Sequence, residues 1–220
     1  MTLAAMLTAL PPCGSAAASA QTPDAERVVD RAVAAFQKVT SLRADFTQTV
    51  RDQMIGTNET SRGEFLQQRP NRFAMRWRQP AGDLLLADGQ SLWVYLPSST
   101  PGQVIRSTLA RSGQTPDVIA EFLDRPRERF TIAWVKVEPV GGRDADVLSF
   151  TPRAANTAYR RVLVWIDRTD NLPHQVEITE ASGSVRRISF DRMRVNGTLP
   201  ASAFIFRPPA GARVVDASQQ

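Results

Sequence analysis

A chain of 220 residues is long enough for one domain with a sizeable core or cavity. Its 42% hydrophobic and 22% charged residues are ordinary for a folded globular protein. The net charge of +5 is spread through strand-like segments among Asp and Glu. A nucleic-acid footprint would gather the positives on one face, so none is read here, while a surface attractive to an acidic protein or anionic lipid stays open.

The first twenty residues carry no charge and end in Ala18-Ser19-Ala20, a small-x-small cleavage site before Gln21. They look like a secretory signal lacking its basic n-region. Pro11-Pro12 interrupts the longest apolar run, which is too short to span a bilayer. Residues 1–20 are therefore read as a signal peptide cleaved after Ala20, and 21–220 as a single exported domain without a transmembrane segment. Cys13, the only cysteine, leaves with that peptide. A lipid-modified Cys13 is the alternative, but Ala9-Leu10-Pro11-Pro12 does not look like a lipobox. The mature chain then suits an oxidising compartment without disulfides.

Thr22-Pro23-Asp24 reads as a helix start, with a capping hydroxyl, Pro at the first position and an acid for the dipole. Val28, Val29, Ala32, Val33, Phe36 and Val39 follow at helical spacing and make an apolar stripe. From 42 to 50 the period changes to two: Leu42, Ala44, Phe46 and Val50 face one way, which predicts a half-buried strand. Met54-Ile55 falls in the following hairpin loop and reads more simply as a buried strand end than as an exposed tip. Strand patterns continue at 63–67 and 73–77, with Phe73, Met75 and Trp77 inward and Arg72, Arg76 and Arg78 on the wet face. Trp93 and Tyr95 stand close by. Thr115-Pro116-Asp117 repeats the helix-start pattern; Val118, Ile119, Phe122 and Leu123 follow until Pro126 stops the run. Strands are then expected at 130–138, 147–151, 159–167, 174–180, 184–193 and 203–206, with Asp170-Asn171 and Ser182-Gly183 as turns. The sum is one antiparallel sheet, long enough to curl, with a helix before it and a helical insert in mid-chain.

Chemistry-bearing groups are sparse. His174 is the only histidine and sits at a strand start after Pro173, without ligand spacing around it, so neither a metal site nor a histidine triad is expected. Asp45, Glu64, Asp88, Glu138, Asp167, Glu177 and Asp191 are scattered, and Asp88 before Gly89 reads as a turn. Two strands could still bring a carboxylate pair together, which keeps an exported hydrolase as an alternative. Gly141-Gly142 lacks the pattern of a phosphate cradle, and no serine sits in a nucleophile elbow. The apolar aromatic face remains. It is either the inner face of a sheet packed on helices or an interior for acyl chains, where each buried methylene gains about 0.8 kcal/mol.

Several stretches carry a resemblance in their order and spacing. They are Ser41-Leu42-Arg43-Ala44-Asp45-Phe46-Thr47-Gln48; Arg69-Pro70-Asn71 with Phe73 and Pro80; Ala87-Asp88-Gly89 with Leu92-Trp93-Val94-Tyr95 and Pro97; Thr115-Pro116; and Phe204-Ile205-Phe206-Arg207-Pro208-Pro209-Ala210-Gly211. From about residue 24 to 216 the chain resembles the periplasmic outer-membrane lipoprotein carrier family, LolA. The resemblance implies a mainly β fold with some α: a strongly curved, half-open antiparallel β-barrel closed by a helical lid around a hydrophobic cavity. It implies a monomeric, non-enzymatic carrier in the periplasm, with no cofactor and no metal. Its partners would be triacylated lipoproteins as cargo, an inner-membrane ABC transporter that releases them, and an outer-membrane acceptor lipoprotein. Arg69 would be the lid latch. Phe46, Phe65, Phe73, Met75, Trp77, Trp93, Val118, Ile119 and Phe122 would line the acyl-chain site, with Phe73 at its mouth. Met75 stands where the family often has tryptophan, and Trp77 follows on the same face. The alternatives of the same fold are the outer-membrane acceptor, which inserts an exposed hydrophobic loop tip into the membrane, and a sensor of mislocalised lipoproteins.

Overall fold

The structure, a computed structural model, describes residues 24–52, 54–109, 119–155 and 157–217. The expected signal peptide, Cys13, the Thr115-Pro116-Asp117 helix start and Val118 lie outside those residues.

The first helix, α1, spans Ala25–Gln37. Asp24 is its N-cap, accepting the backbone N–H of Glu26 at 3.0 Å. The helix buries Val28, Val29, Ala32 and Phe36, the stripe expected from its period. Six strands follow: β1 (Ser41–Asp52), β2 (Thr57–Gln68), β3 (Arg72–Gln79), β4 (Ala81–Asp88), β5 (Ser91–Tyr95) and β6 (Gln103–Thr108). Two four-residue helices, α2 (Ala120–Leu123) and α3 (Pro126–Arg129), lead to β7 (Phe130–Val140), β8 (Arg143–Pro152), β9 (Tyr159–Asp167), β10 (Pro173–Glu180) and β11 (Val185–Val195). A 3-10 turn at Ala201–Phe204 precedes β12 (Arg213–Asp216).

Among the described residues, the twelve strands form one sheet, in the order β12-β6-β5-β4-β3-β2-β1-β11-β10-β9-β8-β7. The sheet is not closed into a barrel, since β12 and β7 are its two edges. Pairing is antiparallel except at β12, which runs parallel to β6. That pair corrects the all-antiparallel expectation. It needs the chain to return to β6 from about a hundred residues away, which no local pattern encodes.

Apart from a minor cluster of Ala145, Val147 and Trp165, two clusters divide the described apolar residues. The larger lies on the inner face and joins α1 to Leu42, Phe46, Phe65, Phe73 and Met75 on one side and to Phe130, Leu148, Phe150 and Val164 on the other. A smaller one lies on the outer face: Leu66, Ala74, Leu84 and Leu86 are covered by Phe204, with Trp93, Tyr95 and Phe206 packed against it. Gly63 marks the tightest point of the inner face. It pairs with Phe46 of β1 and Trp77 of β3, whose rings meet edge-on at 5.3 Å. A Cβ there would stand 2.1 Å from the Arg76 carbonyl oxygen and 2.6 Å from the Phe46 ring. Only a residue without a side chain fits.

Further expectations are corrected by the structure. The 203–206 segment is a 3-10 turn and extended chain that covers the outer face, not a strand. The helical run ends at Leu123, ahead of Pro126 as expected, but Pro126 also opens a further turn, α3, after Arg125 at a φ of 45°, since a proline at the first helical position loses no hydrogen bond. Arg76 is half-buried, donating through Nη2 to the Ala203 carbonyl at 2.8 Å, because the returning C-terminal segment covers its face. Met54 and Ile55 are 86% and 74% exposed at the β1–β2 tip. Both stand at the hairpin tip, beyond Asp52 and Thr57, the last paired residues of β1 and β2.

Candidate functional site

A cavity of about 1020 Å³ opens where α1 ends, beside the β2–β3 turn and the α2–α3 segment. That volume is at the upper end for small-ligand clefts. Its walls mix apolar side chains (Phe36, Phe73, Leu123) with Gln67, Arg69 and Arg72.

Each wall has a local cause. The final carbonyls of a helix have no partner within it, and Arg69 supplies one to α1. Its Nη2 donates to the Phe36 carbonyl at 3.0 Å, and its guanidinium carbon lies 4.4 Å from the centre of the Phe36 ring. The Arg69 backbone N–H donates to the Thr40 carbonyl at 3.0 Å, fixing the turn. On the far side, Arg127 of α3 reaches Asp30 of α1 at 2.7 Å and Glu26 at 3.7 Å, in an exposed ion pair. Arg129 holds α2 through the Glu121 carbonyl at 2.6 Å and the Glu121 carboxylate. The Tyr159 hydroxyl donates to that carboxylate at 3.3 Å. Burial, with the Glu121 charge, pushes the Tyr159 phenol up to about 12.

Of the expected lining residues, Phe73 reaches the cavity. Phe46, Phe65, Met75, Ile119 and Phe122 are packed in the inner cluster at 1%, 0%, 5%, 1% and 2% exposure, so the interior is filled by the chain's own side chains. Trp77 is half-buried beside them and donates its indole N–H to Ser61 Oγ at 3.1 Å. Trp93 departs from the expectation. Leu86 of β4, its register partner, belongs to the outer cluster, so Trp93 faces away from Phe73. Its indole N–H donates to Asp88 Oδ2 at 2.8 Å. Burial raises the Asp88 carboxyl, but the Ser91 backbone N–H, the Trp93 indole and further donors more than offset that and hold it below the usual carboxylate range. Sequence reasoning missed Phe36, Gln67, Arg72 and Leu123 as cavity walls. Phe36 and Leu123 were legible as buried helix faces, but nothing local marks a buried face as the edge of a void.

Several polar groups elsewhere are paired with one another. Asp167, Asp170 and His174 bring ligand-type atoms within 4.8 Å of one another. Arg143 already occupies that cluster, at 3.0 Å from Asp167, 3.4 Å from Asp170 and 2.8 Å from His174 Nε2. Burial raises the Asp170 carboxyl, but His174, the Leu172 N–H and Arg143 outweigh it and keep it low. The group is a braced β9–β10 turn. His174 is a strand-end residue as expected, but buried. Asp45 accepts from Arg78 at 2.8 Å and from Arg192, whose bonds outweigh burial and lower its carboxyl.

Among solved structures, an uncharacterized conserved protein from Thermus thermophilus matches at TM-score 0.55 and 14% identity, covering 87% of this chain and 98% of that one. A chain of the Pseudomonas aeruginosa MucA/MucB complex gives 0.52 at 18% identity, covering 88% of this chain and 64% of that one. These likenesses concern the fold alone. Sequence relatives reach further. The outer-membrane lipoprotein carrier protein of Ralstonia nicotianae is 32% identical over 196 residues, spanning 85% of this chain and 86% of its own. That of Alkalilimnicola ehrlichii is 29% identical, with 88% and 86% spanned. The family described as outer membrane lipoprotein carrier protein LolA matches residues 37–207. This chain belongs to that family.

Proposed function

We propose that this chain is a periplasmic carrier that shields the acyl chains of lipoproteins. It would take them from an inner-membrane ABC transporter and pass them to an outer-membrane acceptor. The observation that carries this reading is the cavity at the end of α1, bordered by Phe73 and by the bonded pair Arg69 and Phe36. The match with named carriers over 85–88% of the chain supports it.

In this reading α1, α2 and α3 act as the lid. Cargo enters at the cavity and displaces helix side chains from the inner cluster. The exchange is close to balanced, because acyl methylenes entering at about 0.8 kcal/mol each replace side chains of the same apolar kind. The side-chain ties from these helices to the sheet are weak: the Arg69–Phe36 and Arg153–Arg127 guanidinium–carbonyl bonds, Arg31–Asn171 and Tyr159–Glu121, each worth about 1 kcal/mol net. Such a lid can open for cargo and close behind it.

Purification from periplasm tests the proposal. Triacylated lipoproteins should accompany the protein and appear as acylated peptides by mass spectrometry; a preparation free of them under lipoprotein-expressing conditions would sink it. One observation favours a second reading, an acceptor of the same fold: the exposed Met54 and Ile55. N-terminal sequencing separates the two, since a lipid-modified Cys13 marks an acceptor and a mature start at Gln21 marks a carrier.

A further inference from the structure

Gln67 occupies a place where strand alternation calls for an apolar side chain. It lies on the inner face of β2, paired with Leu42 of β1 and Phe73 of β3, both members of the inner cluster. Its exposure is 5%, and it borders the cavity. Its Oε1 is buried and accepts no hydrogen bond from any described residue. A buried acceptor left in that state costs free energy, because contact with water is given up with nothing in exchange. A leucine would fill the same space without that cost. The terminal amide torsion is soft and roughly two-fold, so a half-turn exchanges the carbonyl and NH₂ positions at the cavity side.

The arginines at the mouth, Arg69 and Arg72, offer donors only. They cannot distinguish an acyl ester from an acyl amide, because both carry a carbonyl oxygen. The Gln67 oxygen can. An amide brings an N–H beside its hydrocarbon chain and an ester does not. The Gln67 oxygen can accept from the N–H of a trans secondary amide, whose carbonyl points the other way and is left to the arginine donors.

We propose that Gln67 is a specificity-determining group of this cavity, accepting a hydrogen bond from the N–H of an N-acylated occupant, so that the site prefers acyl amides over acyl esters. The proposal rests on the carrier reading, and its test separates the two. The probes are N-dodecanoyl taurine and dodecanoyl isethionate, soluble anionic amphiphiles that differ only by N–H against O at the acyl link. Their binding to the mature chain is measured by calorimetry below the micellar range. The wild-type protein should bind the amide about fivefold to tenfold more tightly, the worth of one hydrogen bond to a group otherwise unsatisfied. Gln67→Leu should keep or raise the thermal midpoint, bind both probes, and lose the preference. Gln67→Met serves the same purpose if the leucine variant does not fold. Equal affinities in the wild type, or a preference unchanged by the substitution, would overturn the role of Gln67 alone. Binding of neither probe would overturn the carrier reading and this inference with it.

Discussion

Strands β3 to β5 carry aromatic and aliphatic side chains on both faces, and the two faces are finished differently. On the outer face, Trp93 and Tyr95 pack on Phe206 at ring distances of 5.8 and 5.7 Å, and Phe204 seals the cluster from the same continuous chain. On the inner face, Phe73 and Met75 meet a separate helix, α1, and Phe73 borders a cavity. The cover of the outer face is threaded into the sheet's own hydrogen bonds just beyond it, through β12. The cover of the inner face is tied down by Arg69 and by exposed ion pairs to α3. Aromatic content does not mark a binding site. What distinguishes the faces is how each cover is held.

The outer face can be broken first. Phe204→Ala should cost about 3–5 kcal/mol in urea unfolding, as a truncated buried phenylalanine does, while acyl-probe affinity stays at the wild-type value. A parallel loss of affinity would mean that the two faces are not independent. Gly63→Ala attacks the inner face from within. Its Cβ meets the Arg76 carbonyl and the Phe46 ring, and the strain should cost about 1–3 kcal/mol and weaken probe binding, since it displaces the Phe46–Trp77 pair. Binding left unchanged by that variant would detach this part of the inner face from the site.

Smaller changes sharpen the contrast at the cover. Arg69→Leu removes the Phe36 bond and should cost about 1 kcal/mol of stability. Lipoprotein loading should persist, but handover to the acceptor should be impaired, because the closed empty state is no longer favoured. Normal handover in a reconstituted transfer assay would remove the latch. The smallest effect concerns the tie between Tyr159 and Glu121. The folded phenol titrates near 12 against an ordinary 10, so the folded chain holds its proton longer than the unfolded one. Its contribution is intact below pH 10 and is lost as pH rises toward 12. Thermal midpoints of Tyr159→Phe should fall less over that interval than those of the wild type. Identical slopes would show that the phenol is not coupled to folding.

Much of this fold was legible in residue order. The α1 stripe, the alternation in β1 and β3, and the strands from β7 to β11 appear with small differences in their ends, because each depends on periods that repeat within a few residues. Strands β4 to β6 were not assigned from residue order, since Leu84-Leu85-Leu86-Ala87 has no alternation to count. Trp93 was misplaced for a related reason. Its face depends on the phase carried through the β3–β4 and β4–β5 turns, and the register shift at Arg76/Arg78 resets that phase. Gln67 was read as part of a strand and no more, because an unsatisfied oxygen is a property of neighbours and not of the residue.

Residue order by itself determined that this is a mainly β chain with a covering helix, and that Arg69 follows β2 in a turn leading to Phe73. Those outcomes come from local periods, turn chemistry and side-chain type, each settled within a handful of positions. Tertiary structure alone decided which apolar face is sealed and which borders open volume. It did so through the return of the segment from Leu199 to Asp216 over the outer face and the seating of α1 against the inner one. Both are contacts between segments far apart in the chain, and no short window of sequence contains them.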